Sequence, residues 1–185
     1  MTKFTVFGSD RQRQRAAARR KFRIGATATL LALVTLIGAL VTLMVFHAKF
    51  MIECGGHLER AANATNIKIA TSELDVAVRY LERHNLTSGY TSILYNTPEE
   101  DLGFAYQNIK SANDELKAMP DTISNLEESN MLIKLRETLT NKDGLAIPDG
   151  ISRYPYNLAF ALATWVSLIV LLVGIPYTIY QAEEM

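Results

Sequence analysis

With 185 residues, 19 of them basic and 19 acidic, the chain is formally neutral, and its single cysteine, Cys54, excludes an intrachain disulfide. Neutrality conceals a strong segregation of charge. Residues 1–23 hold eight basic side chains against Asp10 alone, a net of +7; residues 47–156 hold 11 basic and 16 acidic, a net of −5; Glu183 and Glu184 supply the remaining −2.

In chain order, residues 1–23 read as a basic cytoplasmic tail. Arg11, Arg15, Arg19 and Arg23 recur every fourth residue, so a helix would line them along one face. Basic charge beside an apolar run retains a terminus inside and attracts the anionic headgroups of a lipid bilayer. Only Phe4, Phe7 and Phe22 interleave with the basic residues, so no nucleic-acid partner is expected.

Residues 24–46, IGATATLLALVTLIGALVTLMVF, carry no charge. As a helix they extend roughly 34 Å, enough to cross the hydrocarbon core of a bilayer. The run is much longer than the roughly 7–15-residue core of a signal peptide, and no good cleavage site follows, so a retained transmembrane helix is expected. Within it Gly25, Ala28, Ala32, Thr35, Ala39 and Thr42 form a stripe of small side chains at alternating three- and four-residue spacing. Small residues let helices approach closely in lipid, so the stripe is a candidate packing face for the second span or for a second copy of the chain.

Gly55-Gly56 is the expected flexible joint after this span. Cys54 and His57, with Glu53, are too few for a closed metal site, so neither metal nor cofactor is expected, and if the outside is oxidising an interchain disulfide through Cys54 is the better reading. From Leu58 to His84 the apolar positions Ile67, Ala70, Leu74, Ala77 and Leu81 predict one long, coiled-coil-like helix of about 27 residues. Gly89 is expected to end it. Thr97-Pro98-Glu99-Glu100 reads as a capping box that opens a second helix to Met119, with Leu102, Ala105, Ile109, Ala112, Leu116 and Met119 inward. A third helix, capped by Asp121 or Thr122, reaches about Thr140, and 141–157 return as extended chain.

Between the first two of these helices, the uncharged Ser88–Asn96 concentrates Tyr90, Ile93, Leu94 and Tyr95 where a connector is ordinarily polar. These four are the candidate partner- or ligand-binding residues, expected at a membrane-distal tip; the competing reading makes them a plug for the end of the bundle.

A second uncharged run, Leu158–Tyr180, completes the pattern, with Ala159, Ala163, Ser167 and Gly174 on one face and Pro176 near its end. The expected fold is all-α: an integral membrane protein with transmembrane helices at 24–46 and 157–180. These would carry an extracytoplasmic antiparallel bundle of about three helices (47–156), with residues 181–185 back in the cytoplasm. Phe46, Phe50, Tyr154, Tyr156, Tyr177 and Tyr180 at the span ends suit an interfacial belt, and a plasma or bacterial inner membrane is the expected location. The order of basic tail, span, helical domain and returning span resembles that of bacterial chemoreceptor-type sensors, in topology alone. With about five residues after the second span, a signal would need a partner subunit.

No Gly-rich phosphate loop, HExxH, CxxC or nucleophile-elbow pattern occurs, and His47, His57 and His84 are scattered, so no enzyme is expected. Asn63 and Asn85 open glycosylation triplets that matter only in a eukaryote. The expected function is docking of a protein partner, or assembly with copies of itself, by the helical bundle. The alternatives are a ligand-sensing subunit and a channel or transporter accessory subunit; no ionisable residue in either span marks a transport path.

Overall fold

The structure, a computed structural model, describes residues 3–183 apart from Asp121 and Asp143, with side chains from Arg13 onward except Gln14. Asp121 as a cap, Asp143 as a turn residue, Glu184 and the side chains of Phe4, Phe7 and Arg11 therefore lie outside the described residues. The chain is mostly helical (77%), and among the described residues two helices are long and apolar enough to cross a membrane. It divides into two compact units, one of residues 1–42 with 159–185 and one of residues 43–158.

The first unit is built from α1 (Lys3–Phe50) up to residue 42 and from α6 (Asn157–Glu183) beyond residue 158, where α6 runs through Pro176. These helices meet where their glycines lie. A Cβ at Gly174 would fall 2.6 Å from the Thr29 hydroxyl, and one at Gly25 would fall 3.1 Å from the Tyr177 ring. Ala32 is buried and Ala39 half-buried, whereas Ala28 and Thr35 are exposed. The packed seam thus follows Gly25, Thr29, Ala32 and Ala39 rather than the whole predicted stripe. On α6, Ser167 is buried, Ala163 and Gly174 are half-buried, and Ala159 is exposed. Threonines are tolerated among these apolar side chains because Thr29, Thr35 and Thr42 donate back to the carbonyls of Gly25, Leu31 and Gly38 at 2.8–2.9 Å.

The second unit is a bundle of four helical segments instead of the expected three. Its first segment is the end of α1, continued without a joint through a π-helical turn at Met51–Gly55 into α2 (Gly56–Ala62). The Gly56 N–H reaches back to the Met51 carbonyl, five residues away, and a Cβ on Gly56 would lie 2.9 Å from that oxygen. The glycine pair therefore makes room for a wide turn; it is no hinge. The chain then reverses at Asn63–Asn66, and the Asn66 side chain caps α3 (Ile67–Arg83) by accepting from Ile69 N–H at 2.8 Å. The predicted 27-residue helix is consequently two antiparallel ones. Cys54, Leu58, Ala61, Ala70, Leu74, Ala77 and Leu81 close the core, and its alanines suit close packing of neighbouring helices.

α3 ends at Asn85 rather than Gly89. Asn85 takes a left-handed conformation (φ 55°), its N–H bonds the Glu82 carbonyl, and Leu86 N–H bonds the Leu81 carbonyl at 2.8 Å while its side chain is buried. That is a Schellman ending with asparagine in glycine's role. α4 (Leu102–Lys117) begins later than Thr97 predicts. Thr97 spends its hydroxyl on Glu100 Oε2 (2.8 Å), Pro98–Glu100 forms one 3₁₀ turn, and Asp101 caps the helix by accepting from Gly103 and Phe104 N–H. Leu102, Ala105, Ile109 and Leu116 face the core as expected.

α5 (Asn125–Leu139) starts at a capping box the sequence analysis did not identify, Ser124 with Glu127. Leu135 and Leu139 are buried; Leu126 and Ile133 are exposed. This helix locks the α2–α3 corner, since Arg136 Nε donates to the Ala62 carbonyl (3.1 Å) and Glu128 accepts from Ile67 N–H (3.0 Å). The return segment carries a two-residue antiparallel hairpin, β1 (Thr140–Asn141) with β2 (Gly144–Leu145), an element absent from the all-α expectation.

Candidate interaction surface

The connection between α3 and α4 is built on a fixed base. Gly89 adopts φ 100°, and a side chain there would run into the Tyr154 hydroxyl, so both conformation and space call for glycine. Thr91 N–H donates to the Glu100 carbonyl (3.0 Å) and Leu102 N–H to the Gly89 carbonyl (2.9 Å), pinning the two ends of the loop together. Asn157 Nδ2 donates to the Thr91 carbonyl at 2.5 Å, with both residues buried. Above this base Leu94 is 85% and Tyr95 81% exposed, and Ile93 and Tyr90 are exposed to a lesser degree. Leu86 and Thr91, not the four candidate residues, fill the end of the bundle.

The loop's position differs from the predicted remote tip. It lies beside Tyr154 and Asn157, the residues that lead into α6. Phe50, the last residue of α1, is at the same end, packing edge-on against Tyr80, whose ring in turn touches His84. The physical reason is parity. One helix before the loop would put it far from the chain's entry, but the reversal at Asn63–Asn66 inserts a second helix and brings it back. The remote end instead holds Asn63–Asn66 and the start of α5.

Next to this loop, a groove of about 640 Å³ runs between Thr97–Asp101, the first turns of α4 and the return segment 145–149. Phe104, 62% exposed, stands in its wall with Asn108, Ile147 and Pro148. Along α1, Arg15, Arg19, Arg20 and Arg23 are all exposed, on the turns that precede Ile24 and Thr27.

Two polar clusters tie the helices around the core. Between α3 and α4, the buried Asn113 donates to Asp75 Oδ1 (2.8 Å), and Lys117 pairs with the same carboxylate. Those two donors hold the Asp75 carboxyl below its ordinary range, against the opposing effect of burial. Between α2 and α3, Glu73 accepts from His57 Nδ1 (2.5 Å) and from Arg60 (2.7 Å). Burial alone would raise its carboxyl, but these hydrogen bonds and charges outweigh it and leave it lowered. Neither cluster is an acid–base pair aimed into a cleft; both act as interhelical ties. Asn113 sits on the inward face four residues after Ile109, a spacing that could have found it.

Cys54 is fully buried, its thiol directed at the Ala77 carbonyl, and burial pushes its pKa up to about 12. A thiol so placed cannot reach a second chain, which overturns the interchain disulfide expected from sequence. Among the described residues, no group of three or more His, Cys, Asp or Glu could hold a metal ion. Asn63 and Asn85 are exposed. No protein-family model matches the chain, and neither a curated protein nor a solved structure matches it significantly.

Proposed function

We propose that the chain is a two-span membrane protein whose extracytoplasmic helical domain docks a protein partner. The observation that carries the membrane reading is exposure. The apolar stretches of α1 and α6 present side chains such as Met44, Leu31, Trp165 and Leu172 outward, while a core helix of a soluble protein would be covered. A contiguous apolar surface of this extent is not stable in water and is what a bilayer covers. The basic residues before Ile24 set the N-terminus in the cytoplasm, residues 47–156 outside and the C-terminus inside. The exposed Arg15, Arg19, Arg20 and Arg23 then suit anionic headgroups of the inner leaflet.

The groove beside Phe104 is the surface for the partner, because it joins an exposed aromatic to the acidic side chains of Glu99, Glu100 and Asp149. Its volume also lies within the roughly 300–1,000 Å³ of small-molecule sites, which supports a ligand-sensing subunit as the second reading. Single cysteines at Ser9, Ser111 and Glu184, in a Cys54→Ala background, test the topology by labelling intact cells. Only Ser111→Cys should react with an impermeant maleimide; the reverse pattern refutes the assignment. A photo-crosslinker at Phe104 should yield one discrete adduct in native membranes. If it yields none while small molecules raise the melting temperature, the sensor reading replaces docking.

A further inference from the structure

We infer that Ile93, Leu94 and Tyr95 rest in the outer lipid interface. The inference rests on the membrane reading above and adds to it an assignment for the loop. Three observations carry it. Asn157 both holds the Thr91 carbonyl and directly precedes Leu158, the start of the uncharged run; the loop is therefore tied to the chain at the point of entry. The loop from Gly89 to Pro98 has no charged residue, so no ion has to be desolvated as its apolar crown approaches the interface. Its outermost side chains are a leucine at 85% exposure and a tyrosine at 81%, an apolar wedge with an amphipathic ring beside it. A tyrosine ring places its apolar body among the upper acyl chains and its hydroxyl among headgroups. The pinned base leaves only the crown free, so docking requires little ordering of the loop.

The test uses the full chain with Cys54→Ala, reconstituted in phosphatidylcholine vesicles whose acyl chains carry a nitroxide quencher. A fluorophore on Leu94→Cys should be quenched by the lipid nitroxide and shielded from aqueous iodide. The same fluorophore on Asn125→Cys, at the opposite end of the bundle, should show the reverse. Trp165 in α6 serves as the internal reference for insertion. If Trp165 is quenched by the lipid and position 94 answers only to iodide, the lipid contact is wrong and the crown is left for a protein partner. If Trp165 itself is not quenched, the membrane reading fails first.

Discussion

The side-chain amide of Asn157 and the main-chain carbonyl of Thr91, 66 positions apart in sequence, form a buried hydrogen bond that fastens the α3–α4 loop to the first residue of α6. Replacing Asn157 by alanine leaves that carbonyl without its partner inside the protein, and the expected loss is about 1–3 kcal/mol. Chemical denaturation of the full chain measures it. Amide exchange should accelerate in Ser88–Asn96 with little change in α4; uniform acceleration would mean that the bond does not act locally.

Gly56 supplies a test by sign. At an ordinary helical position glycine to alanine gains about 1 kcal/mol. Here the added Cβ meets the Met51 carbonyl at 2.9 Å and must distort the π turn, so Gly56→Ala should lower the melting temperature. A rise would show that the turn relaxes freely, as a flexible joint would.

Glu73 makes stability pH-dependent. Its carboxyl titrates below its ordinary value in the folded chain, so the unfolded chain binds a proton first as pH falls. The stabilisation is complete above the unfolded carboxyl's titration and is lost as pH drops through the lower, folded value. Glu73→Gln should therefore cost about 1–2 kcal/mol at neutral pH and progressively less in acid. A difference from wild type that stays constant down to pH 3 would contradict this.

In the apolar pair, Gly174→Leu should force α6 away from Thr29 and lower thermal stability in detergent, because leucine cannot fit where a Cβ already lies 2.6 Å from a hydroxyl. Ala28→Leu, on an exposed face, should leave that stability unchanged. Should Ala28→Leu instead reduce the detergent-complex size, the exposed part of the stripe joins copies of the chain.

The sequence by itself determined the local features of this protein. Two uncharged runs longer than 20 residues identify the apolar helices, since that length as a helix matches the hydrocarbon core of a bilayer. Buried faces such as Leu102, Ala105, Ile109 and Leu116 follow from a period that any single helix imposes on its own residues. The tertiary structure decided where the chain reverses. No proline marks the Asn63–Asn66 corner, and only a slip in the apolar spacing, six residues from Ala61 to Ile67, separates two helices that bury their faces against the same core. Competition between neighbouring signals was settled in three dimensions as well. Asp101 caps α4 in place of Thr97 once the Thr91–Glu100 and Gly89–Leu102 hydrogen bonds hold Pro98–Glu100 out of the helix. Asn85 ends α3 before Gly89 because Leu86 gains burial against the core by turning there. One unforeseen reversal changes the parity of every later connection, which is why the exposed crown at Leu94 and Tyr95 lies beside the entry to α6 and not at the far end of the bundle.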